Sequence, residues 1–215
     1  MNESISLDWY FDFISPFAYL QYQALILLRR DRPDLQVHYK PVLFAALLQH
    51  HGHKGPAEIP AKRSMTYRYC YWYAQRHGIP FRVPAAHPFN PIPMLRLAIA
   101  HDCNPLVLSR LFNHIWVESA DDPDFSSLDA LSRIPGLESA EEEASQPEVK
   151  NKLRALTNEA IERGVFGVPT IAIDEMLFWG LDMTEMAIEC LDHPGQFEQD
   201  EYRRIERLPV AKARI

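Results

Sequence analysis

Residues 5–20, ISLDWYFDFISPFAYL, carry the feature that most restricts what this chain can fold into. Ile5, Leu7, Trp9, Phe11 and Phe13 alternate with Ser6, Asp8, Tyr10 and Asp12. That period of two predicts a β-strand with one strongly apolar face. At Ser15-Pro16 the period changes, and Phe17, Leu20, Ala24, Leu27 and Leu28 recur at helical spacing. Serine is a favoured N-cap, and proline at the first helical position loses no needed hydrogen bond. A strand therefore runs straight into a helix, with Ser15 at the junction. Backbone N–H groups at a helix start favour negative charge, so an anion, a thiolate included, is stabilised beside that hydroxyl.

The rest of the chain follows from this opening. Arg30-Asp31-Arg32-Pro33-Asp34 breaks the helix, and Leu35 to Leu43 reads as a second strand. Strand, helix and strand with short connections imply parallel pairing and a right-handed crossover. From Phe44 to Gln146 the strand signal disappears. Helical patterns cover Ala61 to His77, Met94 to His101, Pro105 to Ser119 and, more briefly, Asp124 to Arg133. Val83 to Pro93 holds four prolines and is expected to be extended, while Glu141-Glu142-Glu143 reads as a solvated helix face. Pro147 to Arg163 is amphipathic, with Val149, Leu153, Leu156, Ala160 and Ile161 as its stripe and Gly164 as a natural terminator. Val165 to Trp179 gives two apolar runs around Asp174-Glu175, an antiparallel hairpin. A last helix is expected from Asp182–Thr184 to just before His193.

Laid end to end, these elements predict an α/β thioredoxin-like fold with a large α-helical domain inserted after the first βαβ unit. The expected divisions are 1–44 with 147–195, an insert over 45–146, and a charged tail over 196–215. A chain of 215 residues can bury a substantial core. No apolar run reaches about 18 residues, so a membrane span is not expected. MNESISLD has neither a basic region nor an apolar signal core, which points to a cytoplasmic protein. The net charge of -7, without a dense basic patch, argues against nucleic acid as a partner. Cys70, Cys103 and Cys190 are too scattered for a disulfide framework or zinc site and read as reduced thiols. His50, His51 and His53 suggest a metal, but their loop offers no acidic or cysteine partner.

Two later motifs refine the reading. Gly167-Val168-Pro169-Thr170 opens the hairpin, where proline cannot donate to a ladder. In a thioredoxin-like frame a proline here is commonly cis and leaves the preceding backbone free to pair with a bound peptide. Phe11-Asp12-Phe13-Ile14-Ser15-Pro16-Phe17-Ala18-Tyr19-Leu20, with Val165 to Thr170 and Phe178-Trp179-Gly180-Leu181-Asp182, resembles 2-hydroxychromene-2-carboxylate isomerase. That family is close to kappa-class glutathione transferases and, more distantly, to periplasmic disulfide oxidoreductases. The resemblance covers nearly the whole chain up to about Leu191.

The resemblance implies a glutathione site in a homodimeric enzyme of aromatic catabolism. Ser15 would hydrogen-bond the glutathione sulfur, with Phe17 beside it. Val168 would pair its main chain with the cysteinyl part next to a cis Pro169. Leu181, through its backbone, and Asp182 would hold the γ-glutamyl end. Lys62 would face a glutathione carboxylate, and His53 occupies a loop position where relatives often carry asparagine. Tyr19 and His87 would line the pocket for an aromatic substrate. Where disulfide oxidoreductases place two cysteines, this chain has Ser15-Pro16-Phe17-Ala18. It keeps the anion-friendly position without the redox thiol and must borrow a thiol from a ligand. Lowering a free thiol's pKa by two units needs only about 2.7 kcal/mol.

Each residue also has a plainer reading: Ser15 as an N-cap, Lys62 as solvated surface, Asp182 as a cap before Thr184, and the aromatics of 67–73 as helix packing. The expected function is a glutathione-dependent isomerase of chromene carboxylates. The alternatives are a kappa-like transferase and a glutathione- or peptide-binding module without turnover.

Overall fold

The computed structural model describes residues 5–209. Residues 1–4, at the head of the expected first domain, and 210–215, at the end of the expected tail, lie outside them. β1 (Ser6–Phe11), α1 (Pro16–Asp31) and β2 (Gln36–Pro41) form the expected parallel unit, with Trp9 paired to Tyr39. β3 (Thr170–Ile173) and β4 (Met176–Trp179) form the hairpin, and β3 lies antiparallel to β1. The sheet order is β2-β1-β3-β4.

Two of the polar alternates are buried: Tyr10 and Asp12 are as fully buried as Trp9 and Phe11, while Ser6 is exposed. Toward its C-terminal end β1 is covered on both faces. On one face Tyr10 packs in a cluster with Val42, Ala160, Val165, Val168 and Ala172, partly supplied by α8 (Pro147–Glu162). On the other, Trp9 stacks on Phe11 at 4.6 Å and Phe13 meets Phe112 at 4.6 Å.

The insert contributes α2 (Phe44–His50), α3 (Pro60–Arg76), α4 (Ile92–Ala100), α5 (Pro105–Asn113), α6 (Leu128–Leu131) and α7 (Ala140–Ser145). Leu47 of α2 joins the Tyr10 cluster on the first face, while α3 to α7 supply buried residues to the second. One apolar cluster joins Trp9, Phe11, Tyr19 and Tyr22 to Met94, Phe112 and Trp116, so the core runs continuously from sheet to insert. α5 stops at Asn113, short of the expected Ser119; a π turn over His114–Glu118 and a 3-10 turn over Ser119–Asp121 follow. On α3 only Cys70 and Ala74 are fully buried; Tyr73 packs against the core, while Tyr69, Tyr71 and Trp72 reach solvent.

α9 (Thr184–Asp192) closes the sheet, and Phe197 packs edge-on against Phe178. α10 (Asp200–Glu206), in the expected tail, has no buried residue. Among the described residues no helix is long and apolar enough to cross a membrane.

Candidate active site

The site is built on the turn from Asp12 to Ser15, where β1 becomes α1. Its main chain is held at almost every polar atom. The Trp116 indole N–H donates to the Phe13 carbonyl at 3.0 Å, and His87 Nε2–H donates to the Ile14 carbonyl at 2.7 Å. The Asp12 carboxylate accepts from the Ile14 N–H at 3.1 Å and the Phe44 N–H at 2.9 Å. The Ser15 N–H donates to the Asp12 carbonyl at 3.1 Å. A backbone fixed at so many points can hold one side chain to a narrow geometry.

That side chain is Ser15. Its oxygen accepts from the Ala18 N–H at 3.2 Å, so Ser15 is the N-cap of α1, and its hydroxyl donates to the Val168 carbonyl at 3.4 Å. The second distance is long for an O–H donor, whose bonds cluster near 2.7–2.8 Å. The cap and the donor are therefore separate duties of one hydroxyl, and the donor half is only weakly engaged.

Val168 precedes Pro169, and the bond between them is cis, as expected; His87-Pro88 is cis as well. The Thr170 hydroxyl donates to the Gly167 carbonyl at 2.8 Å and closes this turn. Among the described residues the Val168 N–H has no hydrogen-bond partner, and the Val168 carbonyl meets only Ser15. Val168 thus offers one free donor and one nearly free acceptor, the pattern that an added strand would satisfy.

The loop after β4 is locked to α1 by Gln21. This fully buried amide donates to the Gly180 carbonyl at 3.0 Å and to Thr184 Oγ1 at 2.9 Å, and accepts from the Trp9 indole at 2.7 Å. Gly180 adopts φ +98°, and the Asp182 carboxylate lies 2.6 Å from where a Cβ would stand. Only glycine meets both conditions. Leu181 is buried and Asp182 exposed, so this loop presents a carboxylate and main-chain groups rather than an apolar side chain.

The other expected residues separate into two groups. Phe17 is half-buried at the start of α1, with its ring 5.9 Å from that of Tyr69 on α3. Lys62 is exposed on the first turn of α3, two turns or about 10 Å along the helix from Tyr69. His53 is exposed, with its ring 6.0 Å from that of His51 and no described contact to Ser15. Tyr19 is buried in the aromatic core, where its hydroxyl donates to the Pro80 carbonyl at 2.6 Å. Burial pushes that phenol up to about 12. His87 is bonded at both nitrogens: Nε2 to Ile14 and Nδ1 to the Tyr67 hydroxyl at 2.6 Å. Burial holds His87 below the ordinary imidazole value, with the nearby Arg63 charge adding to the effect. A neutral ring that donates from Nε2 accepts at Nδ1, so Tyr67 is the donor there.

Three residues that shape the site, Asp12, Gln21 and Trp116, carried no distinguishing local signal. Asp12 is the most unusual. Burial raises its carboxyl to about 7, although the Phe44 and Ile14 N–H bonds oppose the shift. Cys70 and Cys103 are thiols pushed up to about 12 by burial, and all three cysteines are unpaired. No group of three or more His, Cys, Asp or Glu among the described residues is placed to hold a metal ion.

Comparison with known proteins agrees with this fold. Residues 6–191 match the DSBA-like thioredoxin domain family. A 2-hydroxychromene-2-carboxylate isomerase of Pseudomonas putida is 32% identical over 182 residues, covering 82% of this chain and 89% of that protein. Glutathione s-transferase kappa 2 of Caenorhabditis elegans is 28% identical over 186 residues, covering 79% of this chain and 81% of that protein. A solved structure of 2-hydroxychromene-2-carboxylate isomerase superposes with a TM-score of 0.74 at 26% identity, covering 91% of this chain and all of that one. On the family match over residues 6–191 and the 32% identity over 82% of its length, the chain belongs to the 2-hydroxychromene-2-carboxylate isomerase family of DSBA-like thioredoxin-fold proteins.

Proposed function

We propose that this protein is a glutathione-dependent isomerase. It converts a 2-hydroxychromene-2-carboxylate-type acid to the ring-opened benzylidene pyruvate in aromatic-compound catabolism. The observation that carries the reading is the Ser15–Val168 pair: a weakly engaged hydroxyl at a helix start, facing a backbone with an unpaired N–H. Bound glutathione supplies a thiolate that adds to the conjugated system and leaves again, so the thiol is regained and the product is an isomer.

The chain's own residues do the rest. Ser15 turns its O–H from the Val168 carbonyl to the sulfur and stabilises the thiolate, helped by the α1 N–H groups. Val168 receives the cysteinyl main chain. Asp182, given room by Gly180, faces the ammonium of the γ-glutamyl end. Lys62 faces the far carboxylate, about two helical turns from the Phe17–Tyr69 contact. His87 and Trp116 keep the turn still by occupying its carbonyls.

A kappa-like transferase uses the same site but keeps the conjugate as product, and the similarity to a kappa transferase supports it as the second reading. Calorimetry with glutathione, followed by assay against chromene carboxylates, tests both. Isomerisation with constant total free thiol supports the isomerase, and thiol consumed in step with product supports the transferase. Absence of glutathione binding would contradict both.

A further inference from the structure

We propose that Phe166 and Trp179 form an aromatic shelf that holds the planar ring of the second substrate next to the glutathione sulfur. The inference rests on the glutathione-dependent reading above and assigns the ring a place of its own. The two residues expected to line the substrate pocket are otherwise engaged. Tyr19 is buried with its hydroxyl on Pro80, and both nitrogens of His87 are bonded.

Phe166 and Trp179 are large aromatics left 38% and 49% exposed, with ring centroids 5.1 Å apart. Their position ties them to the site. Tyr10, Thr170 and Trp179 are register partners across the sheet, at the end where β1 turns into Ser15. The Gly180 N–H donates to the Pro169 carbonyl at 2.9 Å, which fixes the end of β4 against the cis turn. Phe166 stands two residues before Val168, at most about 7 Å of chain. Gly167 supplies the clearance: a Cβ there would come within 2.5 Å of the Trp179 indole nitrogen. The indole therefore lies directly over the main chain of the turn that receives the thiol. An exposed aromatic pair held in place beside a reactive sulfur fits a flat conjugated acceptor, which gains offset or edge-to-face contact with both rings.

The test compares two inert ligands by calorimetry, S-methylglutathione and S-(2,4-dinitrophenyl)glutathione. The wild-type protein should bind the ring-bearing conjugate about tenfold more tightly than the methyl conjugate. Phe166→Ala/Trp179→Ala should bring that ratio close to one while leaving methyl-conjugate affinity within about twofold. Trp179→Phe should keep most of the gain. Gly167→Ala, which displaces the indole without removing it, should lose about half of the gain on a logarithmic scale. Trp72→Phe, at the other exposed tryptophan, should change nothing. A ring-dependent gain that persists in the double variant overturns the shelf. So does a wild-type protein that binds both conjugates equally, and so does a double variant whose sole change is its sedimentation, which would make the face a contact between copies. Failure of the wild-type protein to bind either conjugate overturns the glutathione reading and the shelf with it.

Discussion

The Ser15 hydroxyl oxygen lies 3.4 Å from the carbonyl oxygen of Val168, across 153 residues of sequence. The two come from opposite ends of the thioredoxin-like half, and the register of β1 with β3 brings them together. A bond of that length holds its proton only weakly. A thiolate lying between the turn and the cis-proline strand would compete for it, since a charged acceptor draws a shorter and stronger bond.

The clamp on this turn should be measurable apart from the chemistry. His87→Phe removes the donor from the Ile14 carbonyl and leaves it buried without a partner, at a cost of about 1–3 kcal/mol. Turnover should fall about tenfold while glutathione affinity changes by less than about threefold. Tyr67→Phe, which removes only the outer bond, should be milder on both counts. The pH dependence has a definite sign. The His87 pKa is lowered in the fold, so below about 6.5 the unfolded chain takes up a proton that the native ring resists. This ring therefore makes stability fall as pH drops below that value, and urea melts of His87→Phe should lack the loss.

Asp12 should act in the opposite direction. Its carboxyl rises from the ordinary 3.8 to about 7 on folding. Between those values the native state holds a proton that the unfolded chain has released. Stability from this group is therefore present at the acid end and lost as pH rises through 7, by up to about 4 kcal/mol. Asp12→Asn will itself cost stability, because its NH2 cannot accept from both Ile14 and Phe44. The informative quantity is the slope of unfolding free energy between pH 4.5 and about 7.5. It should be flatter in the variant, and equal slopes would show that Asp12 titrates normally.

Gln21 joins three elements through one side chain. Gln21→Leu keeps much of the volume but strands the buried Trp9 N–H and releases the Gly180 carbonyl and Thr184 hydroxyl. Unfolding free energy should drop by about 2–4 kcal/mol. Glutathione affinity should weaken as well, since the Gly180–Asp182 loop loses its anchor to α1. Weaker folding with unchanged affinity would mean that the loop holds its shape without Gln21.

The residues that could be read from sequence share one property: their role shows in their immediate neighbours. Ser15 follows an alternating strand and precedes a proline and a helical stripe, so its place at the junction was legible. Pro169 was legible from its place at the start of a hairpin. The polar alternates of β1 told less, because period two says which residues share a face, and not whether the second face is covered. Tyr10 is buried in a cluster that includes Ala160 of α8, and Asp12 turns inward onto the Ile14 and Phe44 N–H groups. Gln21 sits among helix formers and shows its purpose only through Gly180, 159 residues away. The two nitrogens of His87 serve Ile14 and Tyr67, a bracing duty that its neighbours in sequence do not reveal. Nothing within a few residues of His87 distinguishes a ring that meets a ligand from one that braces a turn.

The central claim is that Ser15 is a thiolate donor as well as a helix cap. It is tested most directly by titrating the thiol of bound glutathione, followed by thiolate ultraviolet absorbance, in the wild-type protein and in Ser15→Ala. The variant should fold with a loss of about 1 kcal/mol from the missing cap. Its glutathione affinity near neutral pH should fall only modestly. The account predicts that the wild-type protein lowers the bound thiol well below its free value of about 8.5, and that Ser15→Ala returns it by at least about one unit. Turnover at neutral pH should drop about ten- to a thousandfold and recover in part at high pH, where the thiolate forms unaided. A Ser15→Ala protein with the same bound-thiol titration and full activity would show that Ser15 does no more than cap α1.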